Sequence, residues 1–235
     1  MPNSNRLHIT GQTYFVLVER RTGCSGFYDD ACYQFYLLRL LNCINAYHVR
    51  LHAYFFQANE IWLLVTPGTP TGVTSLLRFL NQAYSNYFNA RFDRSVNARS
   101  MDIWSNTIVS SLIQGNSLVL DCQKYIERAA FSRGVVTHPG AYKWSSYCAN
   151  SFGGALQYLT PHPAYNAFIE GIANPHSHYR DFISIPFNEA YCLYLESRLK
   201  FGLPLAKREQ ELALPITRKR VFWNQNNSTS PTVCA

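Results

Sequence analysis

The chain has 235 residues, 47% of them hydrophobic and 15% aromatic, which is enough for one domain with a sizeable core plus an appendage, or for two small domains. Its net charge of +7, from 21 basic against 14 acidic residues, favours a polyanionic partner. No apolar run approaches the ~20 residues that span a bilayer, which excludes a membrane-spanning helix. The N-terminus MPNSNRLHIT lacks the apolar core of a signal peptide, so a cytoplasmic, nucleoid-associated protein is expected. The seven cysteines are scattered and none forms a CxxC pair, which argues against a zinc site or a disulfide framework.

In chain order, residues 7–19 read as a strand, strongest at 14–18 and broken by Arg20-Arg21-Thr22-Gly23. Asp29 or Asp30 can cap a helix whose apolar face carries Tyr33, Tyr36, Leu37, Leu40, Leu41 and Ile44. Residues 52–56 and 61–65 are two almost continuously apolar runs joined by Gln57-Ala58-Asn59-Glu60, a hairpin expected in the middle of a sheet. Glu60 and Trp62 alternate with Ile61 and so line the opposite face from it. After the Pro67-Gly68-Thr69-Pro70 loop, residues 73–92 read as a helix, 103–113 as a strand and 117–130 as a third helix.

Strand, helix, two strands, helix and strand predict an α+β fold. The expectation is a ferredoxin-like antiparallel sheet with helices on one face, plus a helical C-terminal extension. The domain reading is 1–150 for the sheet domain, 151–220 for the extension and 221–235 for a disordered tail. Gly202-Leu203-Pro204 breaks the helical pattern of 188–214, as in a helix-turn-helix or helical hairpin.

Two stretches carry a resemblance. HAYFFQANEIWLLVTP, from His52 to Pro67, resembles the metal-binding segment HAYxxMPNHVHLLxTP of the Y1-type HUH tyrosine transposases, most like the REP-associated and IS200-like members. VVTHPGAYKWSSY matches their V-x-x-P-x-x-Y-x-W-S-S-Y at Pro139, Tyr142, Trp144, Ser145, Ser146 and Tyr147. Leu159-Thr160-Pro161-His162-Pro163 and Tyr165 fit the longer members. The resemblance spans roughly residues 7–214 and makes 1–150 a transposase-like domain.

In that family two histidines and a third polar residue hold a divalent metal, Mg²⁺ or Mn²⁺, and a tyrosine attacks the polarised phosphodiester to form a 5′-phosphotyrosine. Tyr125 matches the nucleophile of the family's Y-I-E-x-N-P. The three positions matching the metal ligands read Glu60, Trp62 and Ala129, of which only the first offers a cation an oxygen. The family arginine after W-E-x is also absent, since Ser105, Asn106 and Thr107 follow Trp104.

The resemblance therefore implies a transposase-like protein that recognises hairpin or palindromic single-stranded DNA, without metal-dependent cleavage and with no cofactor. The resemblance allows a monomer or a homodimer. An active transposase working through Tyr125, and an RNA-binding or protein-interaction module that kept only the fold, stand beside that reading. The DNA-contact candidates are Arg91, Arg94, Arg99, Lys124, Arg128, Arg133, Lys143, Trp144, Lys207 and Arg208. Tyr84, Tyr87, Trp104 and Tyr142 are further stacking candidates, each with a core reading against it. His176-Ser177-His178 is a loop pair without metal-site context, and His162 a surface turn residue between prolines.

Overall fold

The computed structural model describes residues 7–92, 102–153 and 159–206. Its centre is a four-stranded antiparallel sheet of order β2-β3-β1-β4, built from β1 (Thr13–Arg20), β2 (Val49–Gln57), β3 (Glu60–Pro67) and β4 (Trp104–Ile113). Helices α1 (Asp30–Cys43) and α2 (Gly72–Arg91) cross over between strands, as the order of elements predicts. Asp29 caps α1, its Oδ1 accepting from the Cys32 amide at 3.0 Å. Ala58-Asn59 closes the central hairpin.

The continuous apolar runs follow from burial on both faces. Tyr14, Val16 and Val18 of β1 join Ile61, Leu63 and Val65 of β3 under α1 and α2. Phe15, Leu17, Trp62 and Leu64 face the other way. The two crossover helices share one face, and that second face is covered too, by α3 (Asn116–Ser132) and α7 (Glu189–Lys200). Phe27, Tyr36, Phe56, Tyr84 and Trp104 form one aromatic cluster on the α1–α2 side. Tyr84 and Trp104 are fully buried there, so the core reading holds for both and neither faces a nucleobase. Gly26 permits the approach of the hairpin turn, because a Cβ at that position would lie 1.8 Å from the Ala58 carbonyl oxygen.

A bulge in β2 sets up the second face. Leu51 pairs with Val65 and Ala53 with Leu64, so His52 is the extra residue. The local shift turns His52 toward Thr66, on the α3 side.

The sequence motif around Trp144 is an added edge on β2. The Phe56 amide donates to the Trp144 carbonyl at 2.9 Å, the Ser146 amide to the Tyr54 carbonyl at 3.0 Å, and the Tyr142 hydroxyl to the Phe56 carbonyl at 2.6 Å. Short helices follow: α4 (Tyr147–Phe152), α5 (Pro163–Ile169) and α6 (Pro175–Ser184). Pro at the first helical position starts both α5 and α6. His176 and His178, expected in a loop, lie in the first turn of α6, where His178 stacks on Phe168. Residues 207–220 and the tail at 221–235 lie outside the described residues, and with them the second half of the expected helix-turn-helix.

Candidate functional site

The residues matching the transposase site converge between the start of β3 and the C-terminal half of α3. Alternation along β3 sends Glu60 and Trp62 to the α3 side, and Tyr125 meets them from above. The Trp62 indole and Tyr125 phenol lie parallel, with centroids 5.1 Å apart and planes 7° apart. Phe15 and Phe55 pack around the indole at 5.6 and 5.3 Å. Ala129, one turn beyond Tyr125, is 4% exposed in the same apolar cluster.

Arg133 completes the constellation. Gly134, at φ +69°, ends α3 in the left-handed region that favours glycine, which leaves Arg133 as the last residue before the chain turns. The guanidinium sits 4.5 Å from the Trp62 ring centroid. Its Nη1 donates to Gln57 Oε1 and to Glu60 Oε1. The Trp62 indole N–H donates to the other carboxylate oxygen, Oε2 of Glu60, at 2.7 Å. Both oxygens of Glu60 therefore have partners within the protein.

Tyr125 is not poised as a phenolate. Its hydroxyl donates to Glu196 Oε1 of α7 at 3.0 Å. Burial pushes the phenol well above its usual range, and the negative charge of Glu196 adds to the rise, against a smaller opposing effect of Arg133. The cleft bounded by these groups has a volume of about 280 Å³, with Glu19 and Lys200 also on its wall.

The other expected contact residues fall into three groups. Lys124 and Arg128 are buried, at 4% and 7% exposure, rather than presented to solvent. The Lys124 ammonium lies over the rings of Phe182 and Phe187 at 4.4 and 4.9 Å. Arg128 donates to the carbonyls of Ile183 and Ser184, the last orphan acceptors of α6. Both cations thus fasten the extension to α3, and this corrects their reading as phosphate contacts. Arg91 and Lys143 lie toward the start of α1. Arg91 grips Asp29 through two bonds of 2.6 and 2.7 Å and holds that carboxyl down at about 2, and Lys143 reaches Asp30 at 3.2 Å. Trp144 stacks on Tyr33 at 5.0 Å, half-buried. Arg94, Arg99, Lys207 and Arg208 lie outside the described residues.

Sequence reasoning named Arg133 as one of ten DNA-contact candidates and missed its pairing with Glu60. It also missed Glu196 and Gln57. His162 is no simple surface turn residue: it is half-buried, caps α5 and stands edge-on to His52 at 4.8 Å. Among the described residues no helix is long and apolar enough to cross a membrane.

No protein-family model and no curated protein matches the chain. Among solved structures it is similar to a REP-associated tyrosine transposase bound to a REP hairpin, at 14% identity and a TM-score of 0.53, covering 69% of this chain and 93% of that one. A bacterial tRNA(His) guanylyltransferase-like protein in complex with GTP matches at 11% identity and a TM-score of 0.37, over 57% of this chain and 69% of that one. What the first likeness establishes is the fold: this chain has the α+β architecture of a REP-associated tyrosine transposase.

Proposed function

We propose that this protein is a transposase-like DNA-binding protein that recognises hairpin or palindrome-derived single strands and does not cut them. The observation that carries the reading is Arg133, whose guanidinium rests on Glu60 and over Trp62, among the residues that match the family's metal ligands.

The residues present do not fit a divalent cation. Mg²⁺ and Mn²⁺ need several oxygen ligands. Trp62 and Ala129 offer no lone pair, and Glu60 spends one oxygen on the indole N–H and the other on Arg133. A fixed guanidinium is suited to part of the same task. Its Nη1 serves Gln57 and Glu60, and among the described residues its Nη2 and Nε protons are left for a phosphate oxygen. Lys200 on the cleft wall adds a second positive charge, beside the carboxylates of Glu19, of Glu60 on Arg133 and of Glu196 on Tyr125.

A guanidinium can hold a phosphodiester, but the Tyr125 phenol beside it is held in its protonated form. Its hydroxyl faces a carboxylate, yet burial and that same negative charge both oppose the phenolate. The site is built for capture rather than for attack. The hairpin bound by the structurally similar transposase supports a hairpin as the ligand here.

Binding of a labelled single-stranded DNA hairpin on native gels, in EDTA and in Mg²⁺, tests this. Affinity is expected to agree within about twofold between the two conditions and to fall steeply as salt is raised, as phosphate contacts require. Binding that appears only with Mg²⁺ or Mn²⁺ would refute metal-free capture. Stronger binding of the same sequence as RNA would favour an RNA-binding module instead.

A further inference from the structure

The opposite end of the same sheet face holds a second, larger cleft of about 650 Å³. It lies where the β1, β3 and β4 ends meet the start of α3 and the segment entering α5.

Its floor is a chain of hydrogen bonds in which every proton has an assigned place. The Ala164 amide donates to His162 Nδ1 at 2.9 Å, which leaves the ring proton on Nε2. That N–H donates to Thr13 Oγ1 at 2.9 Å. From the other end, His52 Nδ1–H donates to the Thr160 carbonyl at 2.7 Å, so its Nε2 accepts from the Thr66 hydroxyl at 2.8 Å. The Thr13 hydroxyl then donates to Thr66 at 2.9 Å and closes the chain. Burial, with Arg50 nearby, holds both histidines down at about 4, so the floor is neutral at physiological pH. With all its hydrogen bonds met internally, this floor is also rigid.

The rim is different. Gln12, Arg50 and Asn116 are exposed and Gln114 half-buried. Arg50 is the one ionised side chain among the described lining residues, and no carboxylate accompanies it. A cleft with one guanidinium and no acid selects an anion, and Arg suits phosphate in particular. The three amide side chains each offer both donors and an acceptor, the pattern that reads the edge of a nucleobase. The volume lies within the range of small-molecule sites, roughly 300–1,000 Å³, and exceeds what inorganic phosphate alone would fill.

We infer that this cleft binds one nucleotide unit, with Arg50 pairing its phosphate and Gln12, Gln114 and Asn116 meeting its base. The ligand chemistry is a phosphate ester on a nucleoside, whose source is either a free nucleotide or one residue of a strand. The site shares no residue with the Arg133 cleft and stands apart from that reading.

The test titrates deoxynucleoside 5′-monophosphates into the full chain while following the His52 and His162 ring signals by NMR, alongside hairpin DNA binding by fluorescence anisotropy. Arg50→Ala, Arg50→Lys and Arg133→Ala are compared. The expected result is saturable monophosphate binding that Arg50→Ala weakens at least tenfold, Arg50→Lys weakens less, and Arg133→Ala leaves unchanged. If the monophosphates do not bind but Arg50→Ala lowers hairpin affinity at least tenfold, the phosphate belongs to a strand and the site stands. Monophosphate and hairpin binding that are both indifferent to Arg50 overturn the site. Should hairpin binding then still depend on Arg133, the second cleft fails alone and the capture reading survives.

Discussion

Arg133→Ala is expected to weaken single-stranded hairpin binding by about ten- to a hundredfold, since a charge-assisted hydrogen bond contributes roughly 1.5–3 kcal/mol and each 1.4 kcal/mol is a factor of ten. Two effects act in the same direction. The guanidinium that would meet the phosphate is lost, and Glu60 is left as a carboxylate at the mouth of the cleft, held only by the Trp62 indole. Arg133→Lys should fall between, because an ammonium keeps the charge but not the planar contact with Trp62 or the fork of donors. The Arg133 side chain is 32% exposed, so its removal should change unfolding free energy little. Melting curves alongside the native gels separate lost binding from lost fold. Unchanged affinity in Arg133→Ala would remove the basis of the capture reading.

The second large effect lies at Glu127, which touches neither cleft. This carboxylate is fully buried against α4 and α6. Its Oε1 accepts from the Ser146 hydroxyl at 2.8 Å and the Asn150 amide at 2.6 Å, and its Oε2 accepts from the Tyr179 hydroxyl at 2.7 Å. Ser146 also receives the Tyr54 amide of β2 at 3.1 Å, so the acid joins α3, the sheet edge and the extension at one point. Glu127→Ala strips three buried donors of their acceptor and should destabilise the protein by about 3–5 kcal/mol, read as a lower midpoint in urea unfolding. A loss under about 1 kcal/mol would show that the network does not anchor the extension.

The same group predicts a pH dependence. Burial raises the Glu127 carboxyl from 4.5 to about 7, against the lowering effect of its three hydrogen bonds. The folded state therefore binds its proton more tightly than the unfolded chain does. Stability from this group is greatest below about pH 4.5, falls as pH rises toward about 7, and is level above that. The span corresponds to about 3 kcal/mol. Glu127→Gln, which cannot titrate, should flatten that part of the stability profile. Its amide oxygen can still accept from the Tyr179 hydroxyl, which also accepts from Gln123 Nε2 at 2.8 Å.

The order of strands and long helices was legible because each element has a strong period and its own punctuation. Asp29 caps α1, and the hairpin runs flank a short polar turn. The opposed faces of Ile61 and Trp62 followed from alternation alone. The meeting of Glu60, Trp62, Tyr125 and Ala129 came from the family resemblance rather than from periodicity, since Trp62 and Tyr125, the nearest in sequence across the two elements, are 63 residues apart.

What was hidden depends on partners distant in the chain. Glu60 and Arg133 are 73 residues apart, and neither advertises the other. Lys124 and Arg128 read as surface charges on α3 until the extension is laid across them. Their neutral partners, the aromatic rings of Phe182 and Phe187 and the carbonyls at the end of α6, carry no charge for a sequence to display. Helices α4, α5 and α6 have six, seven and ten residues, too few for an apolar period to emerge. The WSSY stretch matched the family closely, but the match did not say what it does in the fold. In the fold it pairs with the edge of β2 and supplies Ser146 to Glu127.

The most direct measurement is a denaturing gel of the purified protein with labelled single-stranded hairpin DNA, run in Mg²⁺ and separately in Mn²⁺. A site in which Arg133 rather than a metal meets the phosphate, and in which the Tyr125 phenol keeps its proton, predicts no protein–DNA adduct in either metal while native gels still show the complex. A covalent band that disappears in Tyr125→Phe would contradict it and make this chain a working tyrosine transposase.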